Sequence, residues 1–275
     1  MEAAVQEQIA AARAALEPMI ADGQIPSSDL AEAYGTTGQI YLVYSLVDSA
    51  QACLHNAATL APEDFRWNYY LGRTYHEDGK PEPATIYLAQ AHALEPENLP
   101  TLLRLAQAEL ELNLLDTATE HFTRVRELEP GNAVAHYGLG QIAIERQQSA
   151  LAVEHFHQAL ASQPQATALH YQLALAYRDL GETAKARSHL AQRGVQDVQF
   201  DEPLMTDLRS LVRGGSLIVY SATHARAAGD LDAAIAGFRR ALEIDPTNNA
   251  ARLYLASSRI QRGELVAARQ ILDEA

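Results

Sequence analysis

Ten histidines and one cysteine are the residues here with the plainest capacity for chemistry. Histidine can ligate a metal or exchange a proton near neutral pH. His121, His155 and His189 follow one another at intervals of 34 residues. A metal ion needs ligands converging on one point, whereas equivalent atoms of neighbouring helices stand about 10 Å apart. This column is therefore expected to be structural. His155 and His157 are two apart on a helix and point to different faces. Cys53 has no second cysteine, which excludes an internal disulfide and every Cys-pair metal or haem motif, and it reads as a small buried hydrophobe. The sequence contains no phosphate loop, no Gly-x-Ser-x-Gly and no His-Glu-x-x-His. No catalytic residue, metal site or cofactor is expected, and an enzyme is the least favoured reading.

Composition narrows the classes further. A chain of 275 residues makes one or two domains, and 48% hydrophobic with 20% charged residues is enough to build a core. The formal net charge of -14 repels phosphate backbones, so nucleic acid is not an expected partner. No apolar run reaches the roughly 18 residues of a membrane span. Met1–Gln6 carries no signal-type segment. The expected compartment is the cytoplasm for the chain as given, or the periplasm or exterior if a signal peptide has been removed. At the other end, Ile271–Ala275 is still helical in pattern, with no Gly or Pro stop.

The elements that position these side chains repeat. Pro62, Pro96, Pro130 and Pro164 are each 34 residues apart, and Pro246 ends a later helical segment. A fixed period of this size marks a stacked repeat. With each proline at position 32 of its unit, position 20 reads Ala50, Ala84, Ala118, Ala152, Ala186, Ala234 and Ala268. Position 8 reads Gly38, Gly72, Ala106, Gly140, Ala174, Ala222 and Ala256, and position 24 is Leu or Phe throughout. Small residues at 8 and 20 let two helices approach, and the large residue at 24 fills the space beside them. Gly79, Gly181, Gly229 and Gly263 at position 15 suit a left-handed turn between the helices. Each unit is predicted to be a helix–turn–helix without strands.

These columns resemble the tetratricopeptide repeat family, most completely in Tyr70–Tyr75 and Ala84–Ala91. Five consecutive units are read over 31–198, a sixth and a truncated seventh over 215–275. An all-α, right-handed superhelix of antiparallel helix pairs is the fold this implies. Glu109 and Arg259 depart from the usual apolar column, and Arg193 and Val198 replace Ala and Pro in the fifth unit, so looser packing is expected there. An aromatic or His at position 23 is common in the family. Residues 1–30 read as an N-terminal capping helix and linker, from the stripe Val5, Ile9, Ala12, Leu16 and Ile20. Residues 199–214 read as an inserted short helix, capped by Asp201 with Pro203 in its first turn. That helix is either a packing spacer or an element that folds across the groove.

The resemblance implies a concave groove lined by the first helices, and with it a protein partner. Carried over unit by unit, the groove residues are Arg66, Tyr69, Arg73, His76 and Glu77, then Leu103, Arg104, Gln107 and Glu111. They continue with Tyr137, Gln141 and Glu145, then Tyr171, Arg178 and Asp179. Tyr and Arg serve as interface anchors, and Gln107 or Gln141 could bond both groups of an extended backbone. The tyrosines could equally pack between helices. Glu77, Glu111, Glu145 and Asp179 form an acidic column near helix C-termini, which either matches basic groups on a ligand or is a solvated face. The subgroup that clamps a C-terminal carboxylate is poorly matched: Gly35, Gln39, Tyr70 and Pro100 occupy its columns, and Arg104 alone agrees. The expectation is a non-enzymatic scaffold or adaptor that holds an extended peptide or helix of a partner. The alternative is a structural subunit or accessory module of a larger, possibly exported, assembly, docking or self-associating through an uncapped end at Ala275.

Overall fold

A computed structural model describes residues 3–273 of the chain, and among these residues there are sixteen helices and no strand. In order they are α1 (Ala3–Ala21), α2 (Ser27–Val43), α3 (Val47–Leu60), α4 (Phe65–Glu77), α5 (Pro81–Leu94), α6 (Leu99–Glu111), α7 (Leu115–Leu128) and α8 (Ala133–Glu145). They continue with α9 (Ser149–Ser162), α10 (Leu169–Asp179), α11 (Thr183–Gln192), α12 (Pro203–Leu211), α13 (Gly215–Ala227), α14 (Leu231–Ile244), α15 (Asn249–Gln261) and α16 (Leu265–Asp273). The chain is all-α, as its period predicts. The uncapped end expected at Ala275 lies outside the described residues.

Each repeat is punctuated by local chemistry. Two residues after the proline stands an N-cap: Asp64 accepts from the Arg66 amide, Asn98 from Thr101, Asn132 from Ala135 and Asn248 from Ala251. At the turn inside each pair the backbone is left-handed. Gly79, Gly181, Gly229 and Gly263 take this conformation freely, and Ser45 (φ 56°), Asn113 (φ 58°) and Gln147 (φ 59°) occupy the same column at a steric cost.

The helices divide into two compact units. The larger comprises Gln24–Gly38 and Val47–Thr206. Its pairs close through the small-to-large columns. Ala50, Ala84, Ala118 and Ala152 are fully buried against Leu54, Leu88, Phe122 and Phe156. A Cβ built on Gly140 would lie 2.4 Å from the Phe156 ring, and one on Gly72 2.5 Å from Leu88 Cγ. The departure at Glu109 is compensated: it is buried, with His121 Nδ1 at 2.7 Å. The fifth pair is the irregular one. Pro164 is followed by Gln165-Ala166 in place of a capping Asn, so α10 starts late and has no side-chain cap. Its partner α11 ends at Gln192 because Arg193, standing where other units bury Ala or Val, is exposed and leaves the helix.

The smaller unit comprises Met1–Gly23, Gln39–Leu46 and Asp207–Ala275. Ala222, Ala234, Ile235, Phe238 and Leu255 form its core, and Val5 and Leu16 of α1 are buried. Arg13 donates to Tyr41 Oη at 2.7 Å, and Arg240 ties down the carbonyls of Ser210 and Val212 at 3.0 and 2.7 Å. Arg259, the second departure, meets Glu264 at 2.5 Å. No helix among the described residues is long and apolar enough to cross a membrane.

Candidate functional site

Beyond α11 the chain turns back over the first helices of the larger unit in an extended conformation. The turn is pinned at the uncapped start of α10, where the Gly194 amide donates to Thr167 O at 3.1 Å and the Ala168 amide to Gln196 O at 2.9 Å. Gly194 has no room for a side chain, since a Cβ would fall 2.1 Å from Thr167 Oγ1. From there side chains alternate. Gln196, Val198, Phe200, Glu202 and Leu204 are half-buried, whereas Asp197, Gln199, Asp201 and Pro203 are exposed. As far as Glu202, beyond which α12 begins, this is the period of two of an extended strand lying on a surface.

The inward residues meet successive repeats, with Arg104 shared between Phe200 and Glu202. Val198 packs between the cores built from α8–α11 and from α6–α8. Phe200 joins the latter core, with the Arg104 guanidinium 4.7 Å from its ring centroid. Glu202 is the most heavily bound residue of the stretch. Tyr69 Oη donates to its Oε2 at 2.5 Å, Arg104 Nε at 3.0 Å and Arg73 Nε at 3.2 Å, while Arg104 Nη2 holds Oε1. The Leu204 carbonyl accepts from Tyr70 Oη at 3.2 Å. Glu202 also begins α12: its carbonyl accepts from the amides of Met205 and Thr206, so the helix starts on Glu202, whereas the exposed Asp201 was the expected cap.

The electrostatics follow from burial and pairing. Burial raises the Glu202 carboxyl, but the hydrogen bonds and charge of Arg104, with Arg73 and Tyr69, outweigh it and hold its pKa below the ordinary carboxylate value. The Tyr69 hydroxyl is pushed far up, first by burial and then by the Glu202 charge. The Tyr137 hydroxyl is raised by burial and by Asp197.

The residues expected in the groove fall into three groups. Tyr69, Arg73 and Arg104 converge on one carboxylate. Gln107, Tyr137, Gln141 and Tyr171 remain on the same face: Gln107 accepts from Arg104 at 3.0 Å, and Gln141 donates to Tyr137 Oη at 3.1 Å. Tyr137 and the exposed Tyr171 line a cleft of about 470 Å3 with Gln172, Val195 and Asp197. The others are engaged elsewhere or stand apart. Leu103 is core. Arg66 is held by Asp64 at 2.6 Å and Glu32 at 2.8 Å. In the acidic column Glu77 pairs with Arg73 at 2.7 Å, Glu111 with His76 at 3.0 Å and Asp179 with Arg178 at 2.8 Å, while Glu145 is exposed. Bases of the same chain thus supply a local reason for three of the four positions in that column.

The bidentate backbone contact expected of Gln107 or Gln141 is made by Gln163. Its Nε2 donates to Gln199 O at 2.5 Å, and its Oε1 accepts from the Gln199 amide at 2.9 Å. Reading the first-helix columns missed Gln163 because it lies just after α9, next to Pro164. The signal for Glu202 was available in the alternation Val198, Phe200, Leu204, which has a period of two and therefore argues against helix at its start. The histidines pair across helices, with Nδ1 of His136 and His155 3.2 Å apart and Nδ1 of His170 and His189 2.9 Å apart. Among the described residues, no group of three His, Cys, Asp or Glu is arranged to hold a metal ion.

Several solved structures resemble this one. MamA from Desulfovibrio magneticus RS-1 (residues 41 to the end) aligns with a TM-score of 0.56 at 19% identity, covering 66% of this chain and 96% of that one. Another MamA crystal structure gives 0.56 at 20% identity, covering 59% and 88%. PilF of Pseudomonas aeruginosa gives 0.52 at 17%, covering 84% and 99%. At these identities the likeness is one of fold. No curated protein sequence matches the chain. Two sequence models of the tetratricopeptide repeat do match, one over residues 103–156 and 142–201, the other over 225–275, together more than half of its length. With the 34-residue period and the helix pairs just described, these matches place the chain in the tetratricopeptide repeat family of protein-interaction scaffolds.

Proposed function

We propose that the chain is a non-enzymatic adaptor that holds an extended segment of a partner protein along the face formed by α4, α6, α8 and α10. The observation that carries this reading is the stretch 196–202, which lies on that face in extended form with alternate side chains turned inward. A face able to accommodate one extended peptide has the means of holding another: anchoring pockets for alternate residues, a glutamine that reads the backbone, and arginines for charge. Affinity arises from a few desolvated anchors rather than from area.

Crosslinking in native extract, followed by identification of the crosslinked protein, supplies the partner. Tyr137→Ala combined with Arg73→Glu is expected to abolish its capture with the far-ultraviolet circular dichroism unchanged. Undiminished capture by a folded double variant overturns the reading.

A further inference from the structure

We infer that residues 196–204 are a built-in ligand, and that the partner segment which replaces them is an extended acidic peptide carrying an aromatic residue two positions before a glutamate or aspartate. The inference rests on the reading of this face given above and specifies the chemistry of its guest.

Three observations lead to it. The first is the carboxylate seat. Tyr69, Arg73 and Arg104 come from two different repeats and direct one hydroxyl and two guanidinium groups at the two oxygens of Glu202. The side chains of Glu202, Arg73 and Arg104 are only 11%, 14% and 17% exposed. Without a carboxylate, two arginines would share a half-buried pocket with no counter-charge at its centre, an arrangement that disfavours an empty or basic occupant. The second is the aromatic seat beside it, where the Arg104 guanidinium covers the Phe200 ring, so one arginine reads both side chains. The third is the backbone contact. Gln163 bonds both the amide and the carbonyl of Gln199, a contact indifferent to side chain that any extended peptide reproduces.

The stretch also has the attributes of a displaceable occupant. Up to Glu202 it belongs to no helix, it follows the end of α11 by four residues, and every second side chain faces solvent. Because it is tethered, it competes at a high effective concentration, so an outside peptide meets a mostly closed face. A partner of the right chemistry exchanges one carboxylate for another and leaves no arginine unpaired.

The test uses the full chain and a labelled decapeptide with the sequence of Val195–Leu204. The same peptide with its three acids replaced by lysine is the comparison. Phe200→Ala with Glu202→Ala vacates both seats. The acidic peptide is expected to bind this opened variant about tenfold or more tightly than the unaltered chain. The lysine peptide should not bind, and adding Arg104→Glu to the opened variant should remove binding. If the lysine peptide binds the opened variant as well as or better than the acidic one, the acidic specificity is wrong and the adaptor reading survives. If neither peptide binds a folded opened variant, the built-in ligand is wrong, and the adaptor reading then stands or falls with partner capture. Should the opened variant fail to fold, hydrogen exchange on the unaltered chain decides: excess acidic peptide must accelerate exchange of the Gln199 amide. Unchanged protection at saturating peptide overturns the inference.

Discussion

Arg104 and Glu202 are 98 residues apart in sequence, and both oxygens of the Glu202 carboxylate are bonded to the Arg104 guanidinium. The two helices that supply Tyr69, Arg73 and Arg104 belong to adjacent repeats, so the carboxylate joins the repeats as well as filling the pocket between them. A pair this sheltered behaves unlike a surface ion pair: removing one partner leaves the other charge desolvated.

Arg104→Ala is therefore expected to destabilise the chain by about 3 kcal/mol, the lower end of the range for breaking a buried pair. Arg104→Ala with Glu202→Ala should cost less than the two single changes together. Chemical denaturation of the four species checks this, and additive effects would mean that the two side chains are energetically independent.

Stability should fall with acid in two windows. His92, His155, His157 and His189 have pKa values lowered from 6.5, by burial first and then by neighbouring histidines. His155, for example, faces His136 and Arg126 as well as Glu154. The unfolded chain takes up these protons at a pH where the folded one still refuses them, so stability is full above about pH 6.5 and declines below it. Glu202 adds a second decline below about pH 4.5, since its folded pKa is depressed and its stabilisation is lost as pH falls through that value. Thermal melts across pH 3–8 measure both. His189→Tyr, the residue type that the column carries at Tyr87, should make the first decline shallower by removing one of its four groups, and Glu202→Gln should remove the second.

Gln147→Gly is expected to stabilise the chain by about 0.5–1 kcal/mol, because it relieves a left-handed residue in the turn between α8 and α9. Gly181→Ala, at the same column in the next unit, should cost about as much. Equal midpoints for Gln147→Gly and the unaltered chain would show that the side chain at this turn contributes compensating interactions.

The repeat was legible in the sequence because its signals are local or strictly periodic. Pro62, Pro96 and Pro130, with the Asp or Asn two residues after each, specify where helices stop and start through backbone hydrogen bonding alone. The Gly and Ala columns determine how closely paired helices approach, and that distance follows from the size of a side chain wherever the pair occurs. Tyr69, Arg73 and Arg104 are assigned to the groove face through the resemblance to the family, carried over unit by unit. What the period could not reveal was the occupant of that face. Arg193 and Val198 registered only as departures from a pattern, and residues 199–214 as an inserted short helix. The destination of a segment that has left the repeat depends on which distant groups it satisfies. Only tertiary structure brings Gln163, Arg104 and Tyr69 within reach of Gln199 and Glu202, because a hydrogen bond or ion pair is decided by a separation of about 3 Å in space and carries no trace of itself in sequence spacing.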